Sequence, residues 1–245
     1  MNNYGIDIWS DDNFMIEDGL AKVNYKCKPS LISIVKDIRK QDFKGPLLLR
    51  FPHITEKQVN TLYNTFNSSI KEYDYKGTFN AVFPLKVNQL PNFIHPLINE
   101  GKKFNYGLEA GSKAELVIAM TYNNVGSPIT VNGFKDKEMI HLGFIAKSMG
   151  HNITIIIEGL NELEIIIEVL NETKMECPNI GLRVRLHSGG SGLWAKSGGI
   201  NSKFGLTSTE ILEAYELMED NNLVKHLTMI HFHIGSAMNS IKPLK

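Results

Sequence analysis

The chain has 245 residues, with 26 lysines and arginines against 26 aspartates and glutamates, 42% hydrophobic residues and 21% charged ones. A balanced chain of this size has core enough for one large domain, or for a domain with an arm, which excludes a disordered polypeptide and a basic surface built for nucleic acid. Its two cysteines, Cys27 and Cys177, are too far apart for a Cys-x-x-Cys pair and read as buried, inert thiols in a reducing compartment.

The N-terminal residues MNNYGIDIWSDDNF are polar and acidic where a signal peptide is basic and then apolar. No apolar run approaches the ~18–20 residues of a membrane span, so a cytoplasmic protein without a membrane partner is expected. Residues 1–40 show no repeating pattern, and 47–51 (LLLRF) is a candidate strand. Thr55 with Gln58 suggests a capping box, followed by Val59, Leu62, Tyr63, Phe66 and Ile70 at helical spacing. A strand is expected over 81–87, a helix over 89–100, a strand over 104–110 and a helix capped by Ser112 with Glu115. Strands at 128–133 and 153–158 follow, with helices over 135–149 and 161–172. A strand at 182–187 leads into a Gly/Ser-rich loop at 188–203, then a helix capped by Thr207 with Glu210 and a strand at 229–235.

Six of these strands share one alternation. Ala81, Phe83, Leu85 and Val87 oppose Val82, Pro84 and Lys86; Ile153, Ile155 and Ile157 oppose Thr154, Ile156 and Glu158; Ile230, Phe232 and Ile234 oppose Met229, His231 and His233. A doubly wound sheet would bury both faces and read as continuous apolar runs, and an antiparallel sheet would not need a helix between every pair of strands. Both facts fit an α/β fold of the β/α (TIM-type) barrel kind, with the apolar face under the helices and the polar face turned inward. Lys86, Glu109, Asn132, Glu158, His187, His233 and Ser236 then gather at the C-terminal mouth.

Lys86 stands out among them. An inward lysine at a strand end loses hydration, which favours the neutral amine that Schiff-base chemistry needs, whereas a lysine just past the strand keeps its ammonium in water. Glu109 lies 23 residues later, one βα unit on; it reads either as a partner of Lys86 or as a carboxylate neutralised by Arg183 or Arg185, which is what an isolated carboxylate more often is. His231 and His233 point to one side of their strand, but a metal site needs three or four converging ligands, and only His187 and Glu158 are on offer. Gly235 and Ser236 offer a phosphate contact, and Trp194 is either a lid residue or loop packing. The 188–203 loop carries neither of the glycine-rich nucleotide motifs.

Taken together, FPLKVNQ (83–89), YGLEAGSKAEL (106–116), VNGFKDKEMI (131–140), SKFGL (202–206) and HFHIGS (231–236) resemble the biosynthetic arginine decarboxylases, as does the opening YGIDIWSDDNF (4–14). That family is pyridoxal-phosphate-dependent and of the alanine-racemase-like barrel class. The resemblance implies that Lys86 holds pyridoxal phosphate through a Schiff base, His233 stacks on its ring, Ser236 reaches its phosphate, and Glu109 is the acidic partner beside Lys86. It implies conversion of L-arginine to agmatine and CO2, the first step of polyamine (spermidine) biosynthesis from arginine, with magnesium as a further cofactor and a homo-oligomer, dimer or higher, as the assembly. By the family pattern, 41–245 is an incomplete cofactor-binding barrel with six of eight strands, and 1–40 is an arm belonging to a β domain. The sequence runs nine residues past Ser236 without the family's remaining elements, so 1–245 alone is expected to have little or no decarboxylase activity. A related ornithine, lysine or diaminopimelate decarboxylase, a non-catalytic pyridoxal-phosphate-binding barrel and a metal-dependent hydrolase are the competing readings.

Overall fold

A computed structural model describes residues 5–186 and 204–234. The chain divides into two compact units, Met1–Leu62 and Tyr63–Lys245. The first contains a short helix α1 (Ile6–Trp9), an antiparallel hairpin of β1 (Phe14–Glu17) and β2 (Leu20–Val23), and α2 (Leu31–Arg39), capped by the Ser30 side chain. Rings pack within it: Phe14 meets Phe51 edge-on at 5.2 Å, and Tyr25 stacks on His53 at 4.4 Å.

Helix α3 (Pro52–Glu72) begins three residues before Thr55, so Thr55 lies inside the helix and does not cap it. A proline opens a helix well, because its missing N–H would have no partner in the first turn. Residues 47–51 form no strand, which corrects that expectation.

The second unit is a six-stranded, all-parallel sheet whose strands follow chain order: β3 (Val82–Pro84), β4 (Gly107–Ala110), β5 (Pro128–Val131), β6 (Asn152–Ile157), β7 (Asn179–Arg183) and β8 (Leu227–His231). Successive strands are joined by α4 (Pro91–Gly101), α5 (Lys113–Tyr122), α6 (Lys137–Ser148), α7 (Leu160–Thr173) and α8 (Ser208–Asp220). This is the winding of a β/α barrel wall; among the described residues β3 and β8 are its two edges. The core lies between the sheet's outer face and the helices, where Leu108, Ile129, Ile153 and Ile155 meet Leu116, Ile140, Phe144 and Ile166, all fully buried.

Several strands are displaced from their expected ranges. Phe104 belongs to a 3-10 turn and Asn105 is left-handed, so β4 starts only at Gly107. β7 starts at Asn179, and Val184 leaves it to bridge Leu206. Gly107 is required where β4 and β5 meet, because a Cβ there would stand 2.0 Å from the Pro128 carbonyl oxygen. β8 carries one extra residue: Ile180 pairs with Leu227 but Gly181 with Met229, so Thr228 is bulged out.

Helix starts follow the sequence more closely. Ser112 accepts the Glu115 amide, Asp136 accepts the Met139 amide, and Thr207 with Glu210 forms a complete capping box. No helix among the described residues is long and apolar enough to cross a membrane.

Candidate functional site

The C-terminal ends of the strands surround a cavity of about 420 Å³, lined by Lys86, Glu109, Gly111, Asn132, Gly133, Glu158, Arg183, Phe204, His231 and His233. Parallel strands in register present their inward side chains together, which is why residues at the ends of six strands meet here, with Phe204 beside them. A second cavity of about 360 Å³ runs along the same sheet face toward the strand starts and shares Glu109 and His231 with the first.

Lys86 arrives by a turn. Leu85 still pairs with the sheet through its amide to the Glu109 carbonyl at 3.0 Å, and the Val87 amide then closes on the Pro84 carbonyl at 3.1 Å. Lys86 lies in that turn, on the cavity but exposed, so the dehydration expected of an inward lysine is absent. The strand ends at Pro84, two residues before it. Of the expected set, Lys86, Glu109, Asn132, Glu158 and His233 line one cavity; His187 and Ser236 lie outside the described residues, as do Trp194 and the 188–203 loop.

The two cavity carboxylates differ in their partners. Glu158 accepts Arg183 Nη1 at 2.7 Å and the Gly133 amide at 3.0 Å. Glu109 receives a long contact from Asn132 Nδ2 at 3.4 Å and no ion pair among the described residues. Arg183 is therefore committed to Glu158 and also faces the Phe204 ring at 5.2 Å, while Arg185 donates twice to the Gly205 carbonyl, at 3.1 and 2.8 Å. Neither arginine neutralises Glu109.

His231 is placed among charges. Burial, reinforced by the Arg183 guanidinium, pushes its imidazole down to about 4, and its buried Nδ1 has no hydrogen-bond partner among the described residues. A neutral ring with a spare nitrogen lining a polar cavity is poised to bond a ligand. The described residues contain no group of three or more His, Cys, Asp or Glu able to hold a metal ion.

Sequence reasoning missed two buried charges behind the wall. Lys135 and Glu162 form an ion pair at 3.0 Å with side chains 0% and 4% exposed. Burial drives the Lys135 ammonium down and the Glu162 carboxyl up from their ordinary values, against their mutual attraction. Glu115 is likewise buried, accepting the Gly111 amide at 2.7 Å and Gln89 Nε2 at 3.2 Å. The available signal was positional: Glu115 and Glu162 are each the third residue of a helix that follows a strand.

Residues 57–245 match the family model for the pyridoxal-dependent decarboxylase, pyridoxal binding domain. The chain is 40% identical to the biosynthetic arginine decarboxylase of Bacteroides thetaiotaomicron, covering 99% of this chain and 39% of that protein. It is 57% identical to the biosynthetic arginine decarboxylase of Campylobacter jejuni, whose crystal structure superposes with a TM-score of 0.90 over 100% of this chain and 39% of that one. The diaminopimelate decarboxylase of M. jannaschii, 23% identical, shares the fold with a TM-score of 0.70 over 96% of this chain and 50% of its own. The chain thus spans 39% of the length of the arginine decarboxylases it matches.

Proposed function

Because the chain belongs to the pyridoxal-dependent decarboxylase family through its pyridoxal binding domain, we propose that it forms the cofactor-holding portion of an arginine decarboxylase, an enzyme that converts L-arginine to agmatine and CO2 as the entry to polyamine synthesis. The observation that carries this reading is the convergence of Lys86, Glu109 and His233 on one cavity in a chain 57% identical to an arginine decarboxylase. The relatives are longer, and the proposed reaction belongs to a chain of their length.

The donor set suits pyridoxal phosphate: an exposed primary amine, two imidazoles on the lumen face, and two glycines, Gly111 and Gly133, that leave room on the cavity wall. When bound, the cofactor supplies the electron sink that takes up the bonding pair left as CO2 departs. Lys86 would hold the cofactor through its amine, and the Glu109 carboxylate, free of arginine, would balance the charge of that amine. His233 would cover one face of the ring and exclude water from it. Arg183, neutralised by Glu158, would present its guanidinium edge without competing for Glu109. Ser236, outside the described residues, is assigned to the phosphate by family resemblance. Magnesium finds no ligand cluster among the described residues. A homo-oligomer, dimer or higher, in the cytoplasm completes the proposal.

The test is direct. Addition of pyridoxal phosphate should produce a visible absorbance that borohydride traps on Lys86, and Lys86→Ala should abolish it. In a chain of the relatives' length, L-arginine should yield agmatine and one CO2. Trapping on a different lysine, or turnover of ornithine in preference to arginine, would overturn the respective part.

A further inference from the structure

The ion pair between Lys135, in the loop from β5 to α6, and Glu162, in the first turn of α7, belongs to a closed circuit of hydrogen bonds. Glu162 Oε2 accepts the Glu158 amide at 2.8 Å, and its Oε1 accepts the Lys135 amide at 3.2 Å. Lys135 Nζ donates to the Gly133 carbonyl, and the Gly133 amide donates to Glu158 Oε1 at 3.0 Å. That same oxygen takes Arg183 Nη1 at 2.7 Å. Glu158 is thus fixed at its main chain and at its carboxylate by one pair of buried charges.

Lys137 joins α6 to α7 through Glu168 and Glu172, but at half-exposed positions away from the cavity, where such bridges contribute little. Glu115 repeats the buried arrangement two helices earlier: it takes the Gly111 amide of its own loop and reaches back to Gln89 in the loop that carries Lys86. Apolar side chains of similar volume would serve stability at least as well as a buried ion pair, whereas a directional pair fixes orientation.

We propose that Lys135 and Glu162 are positioning residues that clasp the β5–α6 and β6–α7 loops together, hold the Glu158 carboxylate on Arg183, and so leave Glu109 as the cavity carboxylate free of arginine. The effect on pyridoxal phosphate rests on the function proposed above; the clasp itself does not.

The experiment uses the full chain carrying Lys135→Met together with Glu162→Gln, since either substitution alone strands a buried charge. Circular dichroism establishes folding, nitrogen-15 NMR reads the Arg183 guanidinium, and titration with pyridoxal phosphate reads affinity. The double variant should fold, broaden and shift the Arg183 signals as Glu158→Gln does, and bind the cofactor roughly tenfold more weakly, the loss of about one charged hydrogen bond. Adding Glu158→Gln to it should produce no further loss. Lys135→Arg, which keeps the charge, should retain the wild-type Arg183 signals. A folded double variant with wild-type Arg183 signals, an additive loss with Glu158→Gln, or a double variant that fails to fold would each overturn the positioning role. If the Arg183 response appears but the wild-type chain takes up no pyridoxal phosphate, the clasp stands and the cofactor reading fails.

Discussion

His231 is half-buried and Cys177 fully buried, and the consequence differs because their neighbours differ. For His231 the shielding is joined by Arg183, which holds the imidazole neutral down to about pH 4 against the ordinary 6.5. Between those values an unfolded chain takes up a proton that the folded chain refuses, so acid destabilises the fold through that window and adds nothing from this group below it. Urea unfolding at a series of pH values should therefore show a steeper acid loss in the wild type than in His231→Gln; equal slopes would contradict the assignment. Cys177 is buried with its thiol pushed up to about 12, whereas Cys27 is exposed, contrary to the expectation that both thiols are shielded. One thiol should react rapidly with Ellman's reagent in the native chain and the second only in denaturant; rapid reaction of both would place Cys177 at the surface. Cys27 misled because a cysteine's frequency of burial says nothing of its local backbone, and Cys27 follows a lysine with left-handed φ in an exposed turn.

At the scale of elements, the close approach of β4 to β5 depends on Gly107. Adding a methyl group 2.0 Å from the Pro128 carbonyl forces the strands apart, so Gly107→Ala should lower stability by about 2 kcal/mol, read as a lower urea midpoint. An unchanged midpoint would mean that the two strands yield freely. The alternation of apolar and polar residues made the six-strand wall legible, together with the lumen positions of Glu109, Glu158 and His233, because period two assigns a face to each side chain without any knowledge of neighbours. Strand ends were less legible: Lys86 continues the alternation of Val82 and Pro84, yet a turn from Pro84 to Val87 lifts it out of the ladder. LLLRF at 47–51 reads as a strand by composition but joins no ladder. The clasp leaves no local signature in the sequence, since Lys135 and Glu162 look like ordinary helix-end charges until the fold brings two loops together.

For the molecule as a whole, the ordering of the sheet predicts where it opens. β6 is buried from Ile153 to Ile157 with neighbours on both sides, whereas β3 and β8 each lack one neighbour among the described residues, and Ile230 and Phe232 are more than half exposed. Native-state hydrogen exchange should accordingly be slowest for the β6 amides and fastest along β3 and β8. Uniform protection across the six strands would mean that the edges are covered in solution.

The single bulged residue in β8 deserves its place for what it does to the cavity's chemistry. Because neighbouring residues of a strand face opposite ways, one surplus position acts as a half-period phase shift on everything downstream. With Thr228 counted in, His231 stands level with Arg183 on the inner side and Ile230 points outward. Were Thr228 paired with Gly181 instead of bulged, Ile230 would stand level with Arg183 and the imidazole would turn toward the helices. The chemical character of β8 is thus written in the parity of a count, which the bulge at Thr228 sets.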